Sequence, residues 1–324
     1  MPAAVVASSD DFELNYGDIS LASTESGVAR PTSLTDSASI KRWIFTLSDI
    51  DSKPELAFDF PTVFATAKFD QLRDVRTELG WSILDIDRYL YAGAGKPKFT
   101  VMQGGVSSTS LDAALGASVS GVWQIGAADG ANDIHHRSAA RPVGESLRFG
   151  LRSGLFAVAR STPPIASFLS GSSPSMADDP GLAAVAKALD TAHVYSAVLT
   201  TTRHLTRPPS LTQTAAQLTA AGLLLQPFDT IAIGVGLDAQ GTTATIVYHN
   251  ADATTAAANA KILANILATG QVATFKVAYS AIFQPATITT DGTVVIATLR
   301  MRPGNSPRRA EDLLYESELV AVHS

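Results

Sequence analysis

Between His193 and Arg300 the chain alternates between two hydrophobic periods, and this alternation constrains the fold more than any other feature. In the segment Ile231–Leu237 every second residue is a large apolar one, which predicts a strand. Apolar residues spaced three and four apart between Ala256 and Leu267 predict a helix. The order is strand, helix, strand, strand, helix, strand, strand. Paired strands with short turns are typical of antiparallel sheets, so the sequence predicts an α+β fold with helices packed on one face of a sheet.

The part of the chain before this region has a similar order of elements, so we predict two ferredoxin-like units with mostly antiparallel sheets. The stretch Gly171–Ser175 is the best linker candidate, because Gly, Ser and Pro follow one another there. We expect an irregular acidic N-terminal arm over residues 1–57, in which Trp43, Ile44, Phe45 and Leu47 are anchored. A first α+β unit would span 58–174. A second, spanning 175–324, would end in a C-terminal helix.

Capping chemistry predicts several helix starts. Ser82 followed by Asp85 has the spacing of a capping box, and this is the strongest local helix signal in the chain. Asp179 before Pro180 predicts a second start, because aspartate accepts hydrogen bonds from free N–H groups and proline fits the first turn. Asp252 is expected to cap a third helix. Further predicted elements are strands at Ala57–Ala65, Lys98–Gln103 and Val272–Phe283, a hairpin around Arg152–Gly154 and a helix at Arg308–Val320.

Composition excludes several classes of protein. Hydrophobic residues make up 46% of the chain, which is enough for a sizeable core. Charged residues make up only 17%, and the net charge is −6, which argues against nucleic acid or an anionic membrane as the main partner. Cysteine is absent, so disulfides, thiolate nucleophiles and iron–sulfur clusters are excluded within this chain. We identify no transmembrane segment and no signal peptide, and we predict no cofactor.

The loop from Asp129 to His136 holds the densest group of potential metal ligands. Asp129, Asn132 and Asp133 could offer oxygen atoms to calcium, and His135 and His136 could offer nitrogen atoms to zinc or nickel. The alternative is a solvated connection between strands, since the spacing matches no EF-hand loop and adjacent histidines in an extended segment point to opposite faces. Both interpretations stay open on sequence grounds.

Three other patterns each allow a functional and a simpler interpretation. The stretch Gly234–Ala239 resembles a dinucleotide fingerprint, but that motif requires a following helix, and here the sequence predicts a turn and a strand. Three separate histidines could converge on a metal, although each is more simply hydrogen-bonded on its own; they are His193, His204 and His249. A basic cluster near the C-terminus fits either an anionic partner or a solvated tail; it comprises Arg300, Arg302, Arg308 and Arg309.

Two stretches resemble segments of uncharacterised, often lipid-anchored exported proteins of actinobacteria and green non-sulfur bacteria. Residues 154–189 contain SMADDP, similar to the S-L-A-D-D-P of those proteins, with Met176 in place of the usual Leu. Residues 79–115 are similar to their pattern of L-G, D-V-D, a strand that ends near Gly and a helix of small residues. The lipidation cysteine is absent here. The resemblance implies extracytoplasmic residence, offers no catalytic residues and leaves the function open.

From these observations we predict an exported, non-enzymatic protein that binds a small molecule or a protein partner of unknown specificity. The first alternative is a metal-dependent enzyme that uses the loop at 129–136. The second is a structural subunit of a larger assembly, which would fit the weakly charged surface. We expect the protein at the bacterial cell surface or secreted, with cytoplasmic residence as the alternative; a lipid anchor would lie outside this sequence.

Overall fold

The computed structural model describes residues 13–48, 56, 58–64, 66–93, 99–172, 174–201 and 213–324. The chain forms two compact units. Unit 1 comprises the described residues of 1–53 and 58–176, and unit 2 comprises those of 54–57 and 177–324. None of the helices in the described ranges has the length and apolar character needed to cross a membrane.

Unit 1 is built on six antiparallel strands in the spatial order β1-β2-β3-β6-β5-β4. These strands are β1 (Glu13–Asp18), β2 (Ile86–Ala92), β3 (Phe99–Gly104), β4 (Val122–Ile125), β5 (Leu147–Arg152) and β6 (Leu155–Ala159). Its helices are α1 (Ile19–Ser26), α2 (Ser37–Ser48), α3 (Leu72–Leu79), α4 (Ser108–Leu115) and α5 (Thr162–Ser170).

Aromatic side chains fill the core of unit 1. Phe156 stacks on Phe149 with 5.8 Å between ring centroids and meets the edge of Trp81 at 5.2 Å. Tyr89 lies over its cross-strand partner Gly17, where an added Cβ would come within 2.3 Å of the tyrosine ring. A side chain at residue 17 would therefore displace Tyr89, which explains why glycine occupies this strand position.

Unit 2 is built on five antiparallel strands in the order β12-β13-β9-β8-β7, and β10 and β11 form a separate hairpin. The strands are β7 (Ser196–Thr201), β8 (Thr230–Asp238), β9 (Gly241–His249), β10 (Gln271–Val272), β11 (Val277–Ala278), β12 (Thr287–Asp291) and β13 (Val294–Arg300). The helices are α6 (Pro180–Thr191), α7 (Ala215–Ala220), α8 (Ala253–Thr269), α9 (Tyr279–Ile282) and α10 (Arg308–Tyr315).

The predicted α+β class with antiparallel sheets and helices is confirmed, whereas the ferredoxin-like arrangement is not. The described strands number six in unit 1 and five in the main sheet of unit 2, and in unit 2 strands close in sequence also pair, as β7 does with β8 and β8 with β9. The small residues of β8 do allow close helix packing: a Cβ added at Gly234 would lie 2.8 Å from Leu189 of α6.

The N-terminal region is not an irregular arm in its described part. Residues 13–48 form β1, α1 and α2, and Asp18 caps α1 by accepting a hydrogen bond from the Leu21 N–H at 2.8 Å. Trp43 and Leu47 are fully buried, as predicted, but Phe45 is 43% exposed. The Ser, Thr and Asp content suggested an irregular segment, yet the apolar stripe of α2 is sufficient to fix it by burial.

Three further predictions need correction. The segment predicted as a strand from Val272 contains the β10–β11 hairpin and α9, and the strand before the Asp291–Gly292 turn begins only at Thr287. The C-terminal helix ends at Tyr315, and a 3-10 turn follows at Leu319–Ala321. In the segment predicted as a strand from Ala57, the described residues include no strand, and residues 62–64 form a 3-10 turn.

The cap of α6 is confirmed and supports a stability prediction. The Asp179 carboxylate accepts a hydrogen bond from the Leu182 N–H at 2.9 Å, and Pro180 occupies the first turn. Replacing Asp179 with alanine should lower the free energy of unfolding of unit 2 by about 1 kcal/mol, because a free N–H loses its acceptor at the positive end of the helix dipole. Asp179→Asn, which retains an acceptor, is the matched control. Chemical denaturation followed by circular dichroism measures both, and equal losses would contradict the cap interpretation.

Candidate functional site

The loop at residues 129–136, which the sequence offers either as a metal site or as a solvated connection, is held together by protein hydrogen bonds. Both carboxylate oxygens of Asp129 accept from Thr162, one from its N–H at 2.8 Å and one from its hydroxyl at 3.1 Å. Arg148 Nε lies 2.9 Å from Asp129 Oδ1 and forms an ion pair, although the angle is too bent for a hydrogen bond. The Thr162 N–H and the Arg148 charge lower the pKa of the Asp129 carboxyl. Asp129 is thus engaged at the start of α5.

The other four candidate ligands also make hydrogen bonds within the protein. The Asn132 side-chain oxygen accepts from Arg160 at 2.5 Å. Asp133 accepts from the backbone N–H of His135 at 3.0 Å and pairs with His136 Nδ1 at 2.7 Å, and the contact with His136 lowers the pKa of the Asp133 carboxyl. Among the residues that the structure describes, no three His, Cys, Asp or Glu side chains are grouped so that they could hold a metal ion.

Arginine organises this loop, which the sequence interpretation missed. The Arg148 side chain is only 5% exposed and donates to the carbonyl oxygens of Ile125, Leu147 and Ala127 at 2.8 to 3.2 Å. Arg141 is also buried and pairs with Glu78 at 2.7 Å. These cations satisfy carbonyl groups that an irregular loop would otherwise leave without donors. In the sequence, the only sign of this arrangement is that arginines follow the Gly- and Asp-rich stretch of the loop.

The histidine hypothesis also receives no support from the described residues. His249 Nδ1 lies 2.8 Å from both carboxylate oxygens of Asp229. His249 pairs with Thr230 at the start of β8, whereas the backbone of His193 lies beside Gly236 near the other end of that strand. These two histidines are therefore far apart. His204 lies outside the described residues.

The dinucleotide motif lacks its required context. After Gly236 the strand β8 continues to Asp238, and a tight turn leads directly into β9. A helix N-terminus, which would hold the pyrophosphate, does not follow the glycines. The simpler interpretation, a turn that leads into a second strand, is the one that fits.

A cleft in unit 1 has the volume of a small-molecule site. Its volume is about 610 Å³, within the range of roughly 300 to 1,000 Å³ that is typical of ligand pockets. Three structural elements contribute its walls: the connection between α1 and α2, helix α3, and the 3-10 turn at Ile83–Asp85. The lining residues are Arg30, Pro31, Thr32, Ser33, Leu34, Arg76, Leu84 and Asp85.

One of the two arginines in the cleft is held firmly. Arg30 Nη1 lies 2.9 Å from Asp87 Oδ1, and Nη2 donates to the Ser20 hydroxyl at 3.0 Å. Its guanidinium carbon lies 5.8 Å from the centre of the Trp43 ring, in a cation–π contact. The Trp43 N–H in turn donates to Ser23 at 2.8 Å. The Arg30 side chain is therefore fixed before any ligand arrives.

The second arginine is more accessible. Arg76 is 47% exposed, and its Nη1 lies 3.3 Å from Asp85 Oδ1. The Asp85 carboxylate is only 15% exposed, and its other oxygen accepts from the backbone N–H and the hydroxyl of Ser82. Asp85 also lines the cleft, but most of its carboxylate is shielded from solvent. A guanidinium has five N–H donors, so this single ion pair leaves Arg76 able to bind an anion.

No protein-family model matches the chain, and no curated protein matches it either. A solved structure described as "Structure of crystal form III of TP0453" does match. The match covers 92% of this chain and 93% of that chain with 11% sequence identity and a TM-score of 0.34. At that TM-score the similarity supports no conclusion about fold or function.

Proposed function

We propose that the protein is a non-enzymatic binding protein that holds a small anionic molecule with an apolar part in the cleft of unit 1. The observation that carries the proposal is the joint presence of Arg30 and Arg76 on a cleft that also has apolar walls. Guanidinium groups bind carboxylates and phosphates through paired N–H donors. Leu34 and Leu84 line the same cleft and would contact the apolar part of the ligand.

A binding role is favoured over the metal-enzyme alternative by the partners of the loop carboxylates. Asp129 and Asp133 both accept hydrogen bonds from protein groups, so metal binding would require those bonds to break. In the cleft, by contrast, the exposed guanidinium of Arg76 needs no rearrangement to meet a ligand. Extracytoplasmic residence is part of the proposal and is supported by the sequence resemblance of residues 79–115 and 154–189.

The cleft predicts a ligand preference that calorimetry can measure. Octanoate and octyl phosphate should bind the full-length protein, whereas neutral octanamide should bind much more weakly. Replacing Arg76 with glutamine should weaken binding of the two anions by roughly tenfold to a hundredfold, because a hydrogen bond to a charged group contributes about 1.5 to 3 kcal/mol. The difference between octanoate and octyl phosphate would separate a carboxylate ligand from a phosphate ligand.

Arg73→Gln is the matched control, because Arg73 is an exposed residue of the same helix, does not line the cleft and carries the same charge. The control should bind both anions with unchanged affinity. Equal binding of octanamide, an equal loss in the two variants, or no binding of either anion at millimolar concentration would each contradict the proposal.

A further inference from the structure

The basic cluster of the C-terminal sequence is rearranged in the fold. Arg300 is not part of the cluster in the structure, because its two Nη atoms donate to the Asp238 carboxylate at 2.7 and 2.8 Å. Lys276 joins it instead, on the turn between β10 and β11. Arg309 lies beside this turn, with its guanidinium carbon 5.5 Å from the centre of the Phe275 ring.

Contacts link Arg302, Arg309 and Phe275, and Lys276 and Arg308 are their immediate neighbours in the chain; we call this group the basic–aromatic surface. Arg309 donates to the Asn305 side chain at 2.8 Å, and Asn305 donates to the Arg302 carbonyl at 3.2 Å. Phe275 is 38% exposed at the tip of its turn. The surface comprises Phe275, Lys276, Arg302, Arg308 and Arg309.

Hydrogen bonds to the buried Glu318 and to backbone carbonyl groups hold this surface in position. Glu318 is fully buried, and its carboxylate oxygens accept the N–H groups of Ala273 and Thr274 at 2.7 and 2.8 Å, just before the exposed tip. Arg302 Nε donates to the carbonyl oxygens of Ser280 at 2.7 Å and Phe283 at 3.2 Å, which orients the guanidinium group. Asp312 lies on the same helix as Arg308 and Arg309 and is partly buried, and that burial raises the pKa of its carboxyl.

We propose that the basic–aromatic surface docks on an anionic phospholipid bilayer, with its four cations facing the lipid phosphates and the Phe275 ring entering the interface. An exposed apolar ring on a turn, flanked by cations, suits a fluid interface into which the ring can insert. Single-stranded nucleic acid is instead bound in a groove that follows the backbone. The net charge of −6 does not prevent docking, because salt screens charges beyond about 8 Å and leaves the local cations to act.

Vesicle co-sedimentation with the full-length protein tests this proposal independently of the ligand cleft. Vesicles of phosphatidylcholine that contain phosphatidylglycerol should bind the protein, vesicles of phosphatidylcholine alone should not, and added salt should weaken binding. The double variant Lys276→Gln/Arg308→Gln should partition about 25-fold less, since each cation near an anionic surface is worth about fivefold. Phe275→Ala should also weaken partitioning, and this loss should persist at high salt.

The control variant Lys187→Gln/Lys261→Gln removes two exposed charges from α6 and α8 of the same unit, neither of which belongs to the basic–aromatic surface. It should partition like the parent protein, and circular dichroism would show that all variants are folded. Equal losses in the two double variants, no binding to anionic vesicles, or equal binding to both kinds of vesicle would overturn the proposal. Tighter binding to a short single-stranded oligonucleotide than to the vesicles would also overturn it.

Discussion

Replacing Arg148 with methionine is expected to destabilise unit 1 by about 3 kcal/mol. The substitution retains much of the side-chain volume but removes the donors that satisfy three carbonyl oxygens and the cation beside Asp129. A buried carbonyl group without a donor costs about 1 to 3 kcal/mol. The total is smaller than the sum of these costs, because Asp129 is partly exposed and some of the groups that lose Arg148 would bind water instead. The loop at residues 127–146 should therefore loosen before the rest of the sheet unfolds.

Tryptophan fluorescence measures this effect in unit 1 alone, because Trp43, Trp81 and Trp123 all belong to that unit. Arg152→Met is the matched control on the same strand, since Arg152 is exposed and donates to one carbonyl, that of Phe168. We expect the control to cost less than about 1 kcal/mol. If urea denaturation gave the same midpoint for both variants, the organising role of Arg148 would be wrong.

The turn at Ser82 shows why local sequence signals predict the structure only in part. The capping box is present: Asp85 accepts the Ser82 N–H at 2.8 Å, and the Ser82 hydroxyl accepts the Leu84 N–H at 3.3 Å. The predicted helix is nevertheless a single 3-10 turn, after which β2 begins at Ile86. Tyr89 and Tyr91 favour a strand, and β2 pairs with β1 and β3 on its two sides. Pairing with distant strands therefore outweighs a correct local cap.

Elements whose causes are local were predicted well. The caps by Asp179 and Asp252 and the hairpin turn at Ser153–Gly154 all occur in the structure. Each depends on the residues of one turn, such as a side-chain oxygen within reach of an N–H or a backbone with positive φ. Such features can be read directly from sequence.

The candidate site could not be predicted, because its residues meet only through the tertiary fold. Arg30 is 57 residues from its partner Asp87, and Arg141 is 63 residues from Glu78. The polar residues that are adjacent in sequence, Asp129 and its neighbours, were the predicted candidates instead. In the structure Asp129 and Asn132 bond to Thr162 and Arg160, about 30 residues further along the chain. A single sequence cannot show which of many scattered arginines will share a cleft.

Replacing Glu318 with alanine is expected to produce the second large effect, in unit 2. The substitution would leave the N–H groups of Ala273 and Thr274 without their buried acceptors, at a cost of about 3 kcal/mol, because hydrogen bonds to a charged group are the strong ones. The cost should fall on the β10–β11 turn, which carries Phe275 and Lys276. Hydrogen exchange followed by mass spectrometry should show faster exchange in a peptide spanning this turn.

Glu316→Ala and Glu318→Gln complete this experiment. Glu316 is exposed two residues before Glu318 and its loss should leave exchange unchanged, whereas the glutamine amide keeps one acceptor oxygen and should give an intermediate rate. If the basic–aromatic surface depends on this support, Glu318→Ala should also weaken vesicle binding although it removes a negative charge, because a loosened turn no longer holds the ring and Lys276 together. Purely electrostatic binding would instead strengthen on loss of a carboxylate. The sign of the change in partitioning therefore distinguishes a preorganised surface from a simple excess of positive charge.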